Sequence, residues 1–142
     1  MNSSEAKVLL SFHSGRNSDI DNEKWRSGFL GSLRPFTGEL KKENFIEVME
    51  CLYTLRDELS APEIDRETMA NIAGIMYFAR IWASPHGMLG SSHLLTEQQT
   101  CQLLFWVDMI QYCFTCLLDG AEEEAFHDYR LYLAGELSEN WD

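Results

Sequence analysis

Basic residues are almost absent from the second half of this 142-residue chain. Residues 81–142 contain ten acids and a single base, Arg130, whereas residues 1–80 contain thirteen acids and ten bases. Most of the formal net charge of −12 therefore lies after residue 80. A surface so short of positive charge repels nucleic acids and anionic membranes, and it attracts basic proteins. We expect a basic protein as the partner, and neither nucleic acid nor a membrane.

Other absences narrow the class of protein. The only apolar run near the N-terminus, residues 8–10, is too short for a signal peptide. The four cysteines (Cys51, Cys101, Cys113 and Cys116) lack the spacing of a disulfide framework, so we expect reduced thiols and a cytoplasmic location. The sequence contains no phosphate-binding loop, no dinucleotide-binding GxGxxG and no GxSxG nucleophile motif. We therefore expect a protein that is not an enzyme, and we assign it no cofactor.

Apolar residues recur at helical spacing along most of the chain, with almost no strand signal. The pattern predicts five helices, at about 22–33, 38–60, 66–83, 96–118 and 121–134. The length and the apolar content of 45% fit one all-α domain over residues 1–142, folded as a bundle. Residues 1–21 are expected to form a weakly structured N-terminal arm, and residues 136–142 an acidic tail.

The fourth predicted helix is apolar around most of its circumference between residues 101 and 118. A helix of this kind belongs in the centre of a bundle or in a subunit interface. Asp108 near its middle argues against a membrane span, because a central carboxylate costs about 2.5–3.5 kcal/mol on insertion. We therefore predict a nearly fully buried helix at the centre of the bundle.

A polar stripe nevertheless runs along this helix. Glu97, Asp108, Gln111, Thr115 and Asp119 fall within about 80° of one another on a helical projection. In one interpretation the stripe is simply the solvated edge of a buried helix. In the other, it joins the acids of residues 122–128 in one negative surface that binds a partner. The partner-binding residues predicted on this basis are Asp108, Gln111, Asp119, Glu122, Glu123, Glu124 and Asp128.

Three short patterns resemble metal sites but are incomplete. The cysteines of Cys113-Phe-Thr-Cys116 supply half of a zinc site, yet no second pair of ligands follows, so we expect core thiols. His127-Asp128 resembles the HD dipeptide of metal-dependent phosphohydrolases, with only His93 and Asp142 as rough candidates for the remaining ligands. Glu47-Val-Met-Glu50 resembles the first magnesium-binding pair of the all-α pyrophosphohydrolases, but no ExxD pair follows at a suitable distance. No metal site is predicted.

Size, acidity and the missing catalytic motifs give the chain a class-level resemblance to small acidic proteins that neutralise a basic partner, such as bacterial immunity proteins of toxin–immunity pairs. The resemblance implies that the last two helices occlude a Lys/Arg-rich cleft, such as the active site of a toxin nuclease. Trp106, Tyr129 and Tyr132 are candidate aromatic anchors, with burial in the core as the alternative. Reversal of the four acids at 122–124 and 128 to lysine is expected to abolish binding while the fold survives.

Two alternatives remain open at this stage. In the first, the apolar surface of residues 101–118 is the interface of a helical homodimer with a structural or regulatory role. In the second, which the sequence favours less, the chain is a metal-dependent phosphohydrolase.

Overall fold

A computed structural model describes residues 1–139, and within that range the chain forms helices and no strands. The elements follow one another as α1 Ser3–His13, α2 Glu23–Ser27, a 3₁₀ turn Gly31–Leu33, α3 Lys42–Thr54, α4 Arg56–Leu59, α5 Arg66–Ala83, α6 Met88–Ser91, α7 Glu97–Leu118 and α8 Glu122–Leu133. The predicted all-α, single-domain bundle is confirmed. Trp141 and Asp142, which belong to the predicted acidic tail, lie outside the described residues.

The N-terminal segment corrects one expectation, because residues 3–13 form helix α1 rather than a weakly structured arm. Asn2 begins the helix by accepting a hydrogen bond from the backbone N–H of Glu5. Ala6 and Leu10, one helical turn apart, are fully buried, and so is His13 near the end of the same face. The sequence pattern was weak because a small residue and a histidine occupy positions that larger apolar residues normally take.

The segment predicted as a helix over 22–33 is largely a loop. Only α2 and the 3₁₀ turn are helical there, because Gly28 adopts an extended backbone that ends α2. The 3₁₀ turn then lies directly on α2, and a Cβ added at Gly31 would stand 2.2 Å from the carbonyl oxygen of Trp25. The loop still carries Phe29 and Leu33 into the core, where both are buried. The apolar spacing therefore correctly indicated that Phe29 and Leu33 are buried. The prediction of one continuous helix over 22–33 was wrong.

An aromatic cluster holds α3 to α7 and α8. The ring of Phe45 stacks on Trp106 with centroids 5.5 Å apart, and it meets the edges of Tyr129 and Tyr132 at 5.9 and 5.7 Å. The indole N–H of Trp106 donates to the hydroxyl of Tyr132 at 3.1 Å. Such ring pairs add about 0.5–1.5 kcal/mol each to the free energy gained by burial alone. Trp106, Tyr129 and Tyr132 are thus core residues and not exposed anchors.

Helix α7 lies between α5 and α8 and also contacts α3 and α4. Thr96 and Gln99 form a capping box at the start of the helix, with both hydrogen bonds at 3.0 Å. Its burial is less complete than expected, because the polar stripe from Glu97 to Asp119 stays exposed. By length and mean hydropathy alone α7 would qualify as a membrane span, but half of its most apolar window is buried inside the bundle.

Candidate protein-binding surface on α7 and α8

Helices α7 and α8 and the loop between them carry all seven predicted partner-binding residues. Residues 119–121 join the two helices, and Gly120 has a φ of +75°, a left-handed conformation that glycine adopts at little cost. The helices pack against each other. Three glutamates, Glu122, Glu123 and Glu124, fill the first turn of α8, where negative charge is favoured by the helix dipole.

Three of the seven predicted residues have a base beside them. Arg80 of α5 places its Nη2 2.9 Å from the Oδ1 of Asp108 and 2.7 Å from the Oε1 of Gln111. Arg56 of α4 places its Nε 2.8 Å from the Oε1 of Glu122. These exposed pairs contribute little stability, about 0–1 kcal/mol each. They do neutralise part of the predicted acidic surface, so its charge is less uniform than the sequence indicates.

The other four predicted residues have no lysine or arginine in ion-pair contact among residues 1–139. Asp119, Glu123 and Glu124 are exposed, and Asp128 is half-buried with His127 as its neighbour at 3.3 Å. Arg130, the only base of this segment, donates to the backbone carbonyl of Glu123 at 3.3 Å instead of to a carboxylate. We call these four carboxylates, at 119, 123, 124 and 128, the unmatched acids.

A cavity of about 270 Å³ lies between the two helices and brings Asp108 and Asp128 together. The rest of its lining is apolar or aromatic: Phe105, Met109, Tyr112 and Leu137. An apolar floor with carboxylates at its rim suits a lysine or arginine side chain, whose stem is apolar and whose head is cationic. The two acids were predicted from the sequence, but the apolar floor was not, because neither Phe105 nor Met109 was singled out in the helical pattern.

Tyr112 reports on the electrostatic field of this groove. Its side chain is 46% exposed. The Cys116 thiol beside it raises the pKa of the Tyr112 phenol most, and the carboxylates of Asp128 and Glu124 raise it further. The negative phenolate is disfavoured mainly by the hydrogen bond with Cys116, and the two carboxylates add a smaller contribution. The same field favours a positive side chain from a partner.

The remaining patterns noted in the sequence do not assemble into a metal site. Within residues 1–139, no group of three or more His, Cys, Asp or Glu side chains is placed to hold a metal ion. Cys113 is buried, and burial raises the pKa of its thiol to about 12, which disfavours the thiolate that binds zinc. Glu47, one half of the ExxE pair, is already bound by His13 and Lys24.

That contact belongs to a buried polar cluster that the sequence did not reveal. The Nδ1 of His13 accepts the backbone N–H of Phe29 at 2.9 Å, and its Nε2 lies 2.8 Å from the Oε1 of Glu47. Burial lowers the pKa of His13, so the imidazole is neutral with its proton on Nε2. The hydrogen bond from His13 is the main reason that the pKa of Glu47 falls to about 2. The cluster joins α1, α2 and α3.

Compared with models of known protein families, with curated protein sequences and with solved structures, the chain matches none.

Proposed function

We propose that the chain is a non-catalytic binding protein that presents α7 and α8 to a basic protein and covers that partner's functional cleft, in the manner of an immunity protein. The observation that carries the proposal is the set of unmatched acids at 119, 123, 124 and 128, of which Asp128 lines the cavity together with Asp108. Carboxylates without a lysine or arginine partner in their own chain keep their charge for a partner in another.

The proposed mechanism has two stages. The charge of −12 attracts a basic protein at long range and speeds the encounter, an effect that salt weakens. On contact, a lysine or arginine of the partner enters the cavity, its stem against Phe105 and Met109 and its charged end against Asp128, because Asp108 is already paired with Arg80. The exposed ring of Tyr112 covers the same side chain. A buried anchor of this kind slows release more than it speeds association.

The test compares two variants with the same change in charge. In the first, Glu123, Glu124 and Asp128 are replaced by lysine; Glu122 is left in place, because a lysine there would face Arg56 and disturb the fold. In the matched control, three exposed acids outside α7 and α8 are replaced by lysine: Asp21, Glu43 and Glu63. Both variants are used as baits in the host's cytoplasmic extract, and the bound proteins are quantified by mass spectrometry.

We expect a basic protein that the wild type and the control retain and that the α8 variant loses by at least tenfold. Removal of several rim charges and one cavity acid makes a loss of that order reasonable, since tenfold corresponds to about 1.4 kcal/mol. Equal loss in both variants would show that net charge alone holds the partner, and retention by the α8 variant would show that it binds elsewhere. Either result contradicts the proposal.

A second candidate function, self-association, is favoured by a different surface than the sequence indicated. The apolar side of residues 101–118 faces into the bundle, where α5 and α8 cover it. The outer side of α5 instead exposes three large apolar side chains: Tyr77 at 60%, Phe78 at 44% and Ile81 at 43%. Adjacent large apolar side chains of this kind mark interaction surfaces.

Sedimentation equilibrium tests this candidate directly. A homodimer through α5 predicts a mass of twice 16.4 kDa that returns to one chain when Tyr77 and Ile81 are both replaced by glutamate. A mass of one chain for the wild type at high protein concentration would rule the candidate out.

A further inference from the structure

A second cavity is lined by residues from the end of α1, from α2, from the 3₁₀ turn and from α5. None of its described lining residues belongs to α7 or α8. We propose that this cavity binds a small planar aromatic carboxylate. Its volume is about 490 Å³, within the range of about 300–1,000 Å³ typical of small-molecule sites. This inference is independent of the binding surface on α7 and α8.

Aromatic rings form the main walls of the cavity. Trp25 of α2 supplies one ring, and Phe78 and Trp82 of α5 supply two more. Leu30 adds a further apolar side chain to the lining. The rings of Phe78 and Trp82 have centroids 5.7 Å apart and are tilted by 40°. Phe78 is 44% exposed, so a large aromatic surface stays in water unless something covers it. A flat apolar ligand is the natural occupant of a space with such walls.

The polar character of the cavity points to an anion. Among the described residues that line it, Arg34 is the only charged side chain, and no carboxylate is present. The guanidinium of Arg34 has no ion-pair or hydrogen-bond partner among residues 1–139. Arg34 is exposed, and no carboxylate in the lining competes for its guanidinium. A carboxylate is the group that an arginine binds best, through two parallel hydrogen bonds.

Trp25 supplies an independent observation. Its indole Nε1 is buried and has no hydrogen-bond partner among the described residues, one of only two such side-chain atoms there. Buried donors are normally paired, and an unpaired one in a native protein calls for an explanation. Because this nitrogen has less than 1 Å² of accessible surface, a ligand in the cavity becomes its hydrogen-bond partner only if the ring of Trp25 shifts on binding. The ring system of Trp25 and the side chain of Arg34 thus favour the same class of ligand.

Two glycines give the cavity its shape. Gly15 has a φ of +70°, and a Cβ added there would meet no atom within 4 Å, so the chain turns sharply and leaves open space. Gly31 lets the 3₁₀ turn lie against the backbone of α2, which holds Trp25 and Arg34 on the same cavity. The two glycines therefore leave room beside the backbone, and the aromatic side chains form the walls of the cavity.

The probe for the test is 2-naphthoate, with the uncharged 2-naphthamide as its matched control. The protein is labelled with ¹⁵N, and the indole N–H signals are followed by NMR during titration, with Trp25→Phe used for assignment. We expect the signals of Trp25 and Trp82 to shift and saturate in the millimolar range or below. The signal of Trp106 should stay in place, because its N–H is bonded to Tyr132 inside the core.

Two arginine variants separate the specific contact from the general effect of charge. Arg34→Gln should weaken naphthoate binding at least about tenfold, because it removes a charge-assisted hydrogen bond. Arg26→Gln makes the same change in charge at an exposed position of α2 outside the lining, and should weaken binding by less than about twofold. The NMR spectra of both variants show whether each is folded.

Several results would overturn the proposal. These are the absence of a saturable shift at Trp25 and Trp82, equal affinity for 2-naphthamide and 2-naphthoate, or an equal effect of the two arginine substitutions. The comparison of naphthamide with naphthoate uses the wild-type protein, so it decides the question even if an arginine variant does not fold.

Discussion

Replacement of Glu47 by glutamine should destabilise the fold at neutral pH and lose that effect in acid. Glu47 accepts the hydrogen bond of the buried His13 and lies against Lys24, so the substitution removes a charge that three elements share. Glutamine keeps the shape and an acceptor oxygen, which limits the damage to the loss of charge. The perturbation therefore isolates the electrostatic part of the cluster.

The magnitude follows from the pKa of Glu47, which falls from 4.5 to about 2. A change of that size is equivalent to about 3 kcal/mol if it is taken in full. Solvent reaches the carboxylate, whose side chain is 29% exposed, so screening reduces the value. A hydrogen bond to a charged group contributes about 1.5–3 kcal/mol. We therefore expect Glu47→Gln to lower the free energy of unfolding by about 1–2 kcal/mol at pH 7.

The pH dependence has a definite sign. A carboxyl whose pKa is lower in the folded state stabilises the fold above its unfolded pKa, and that stabilisation disappears as the pH falls through the folded value. For Glu47 the window runs from 4.5 down to about 2. His13 acts in the same direction at higher pH, because its lowered pKa means that only the unfolded chain takes up a proton as the pH falls below 6.5. Acid should thus weaken the fold in two steps.

Urea unfolding, followed by circular dichroism at pH 7 and at pH 3, measures the effect. Glu43→Gln is the matched control, since it removes the same charge from the same helix at an exposed position without an ion pair. We expect the control to change the free energy of unfolding by less than about 0.5 kcal/mol. The reasoning is refuted if the two variants are equally stable at pH 7, or if the deficit of Glu47→Gln is as large at pH 3 as at pH 7.

Two further predictions concern positions outside this cluster. Gly31→Ala should destabilise the fold by about 1–3 kcal/mol, because the new Cβ meets the backbone of α2. Gly74→Ala in α5 places its Cβ in open space and should stabilise the fold by about 0.5–1 kcal/mol. Urea unfolding that ranks the two variants in the reverse order would contradict this. Thiol titration with Ellman's reagent should label the exposed Cys101 rapidly, and Cys51 and Cys113 only on unfolding, because burial raises the pKa of each to about 12. Rapid reaction of all three would contradict the burial.

The helices that could be predicted from sequence were those whose signals were local and redundant. In α5 and α7, apolar periodicity coincided with a capping residue at the start, Asp65 and Thr96, and both caps are formed. Helix α3, by contrast, was predicted to begin at about residue 38, but it begins at Lys42 and has no side-chain cap. The first helix escaped prediction because its buried face includes His13, whose burial depends on Glu47, 34 residues away.

In the candidate surface too, features set by local helical geometry could be predicted, and features set by contacts between helices could not. Exposure of the polar stripe on α7 followed from helical geometry, so the acids were found. Their pairing did not follow, because Arg56 and Arg80 come from other helices and approach Glu122 and Asp108 only in the folded chain. The cavity between Asp108 and Asp128 likewise depends on the packing of α8 against α7. Composition predicts a charge, and tertiary packing decides which charges remain unmatched.

The most direct test of the central claim is the co-purification of the wild-type chain with its partner at low and at high salt. A negative surface that binds a basic protein predicts that one basic protein is recovered at low salt and that its amount falls steeply as the salt concentration rises. Recovery of the chain alone, at the mass of two copies of 16.4 kDa, would contradict the claim and favour self-association through α5.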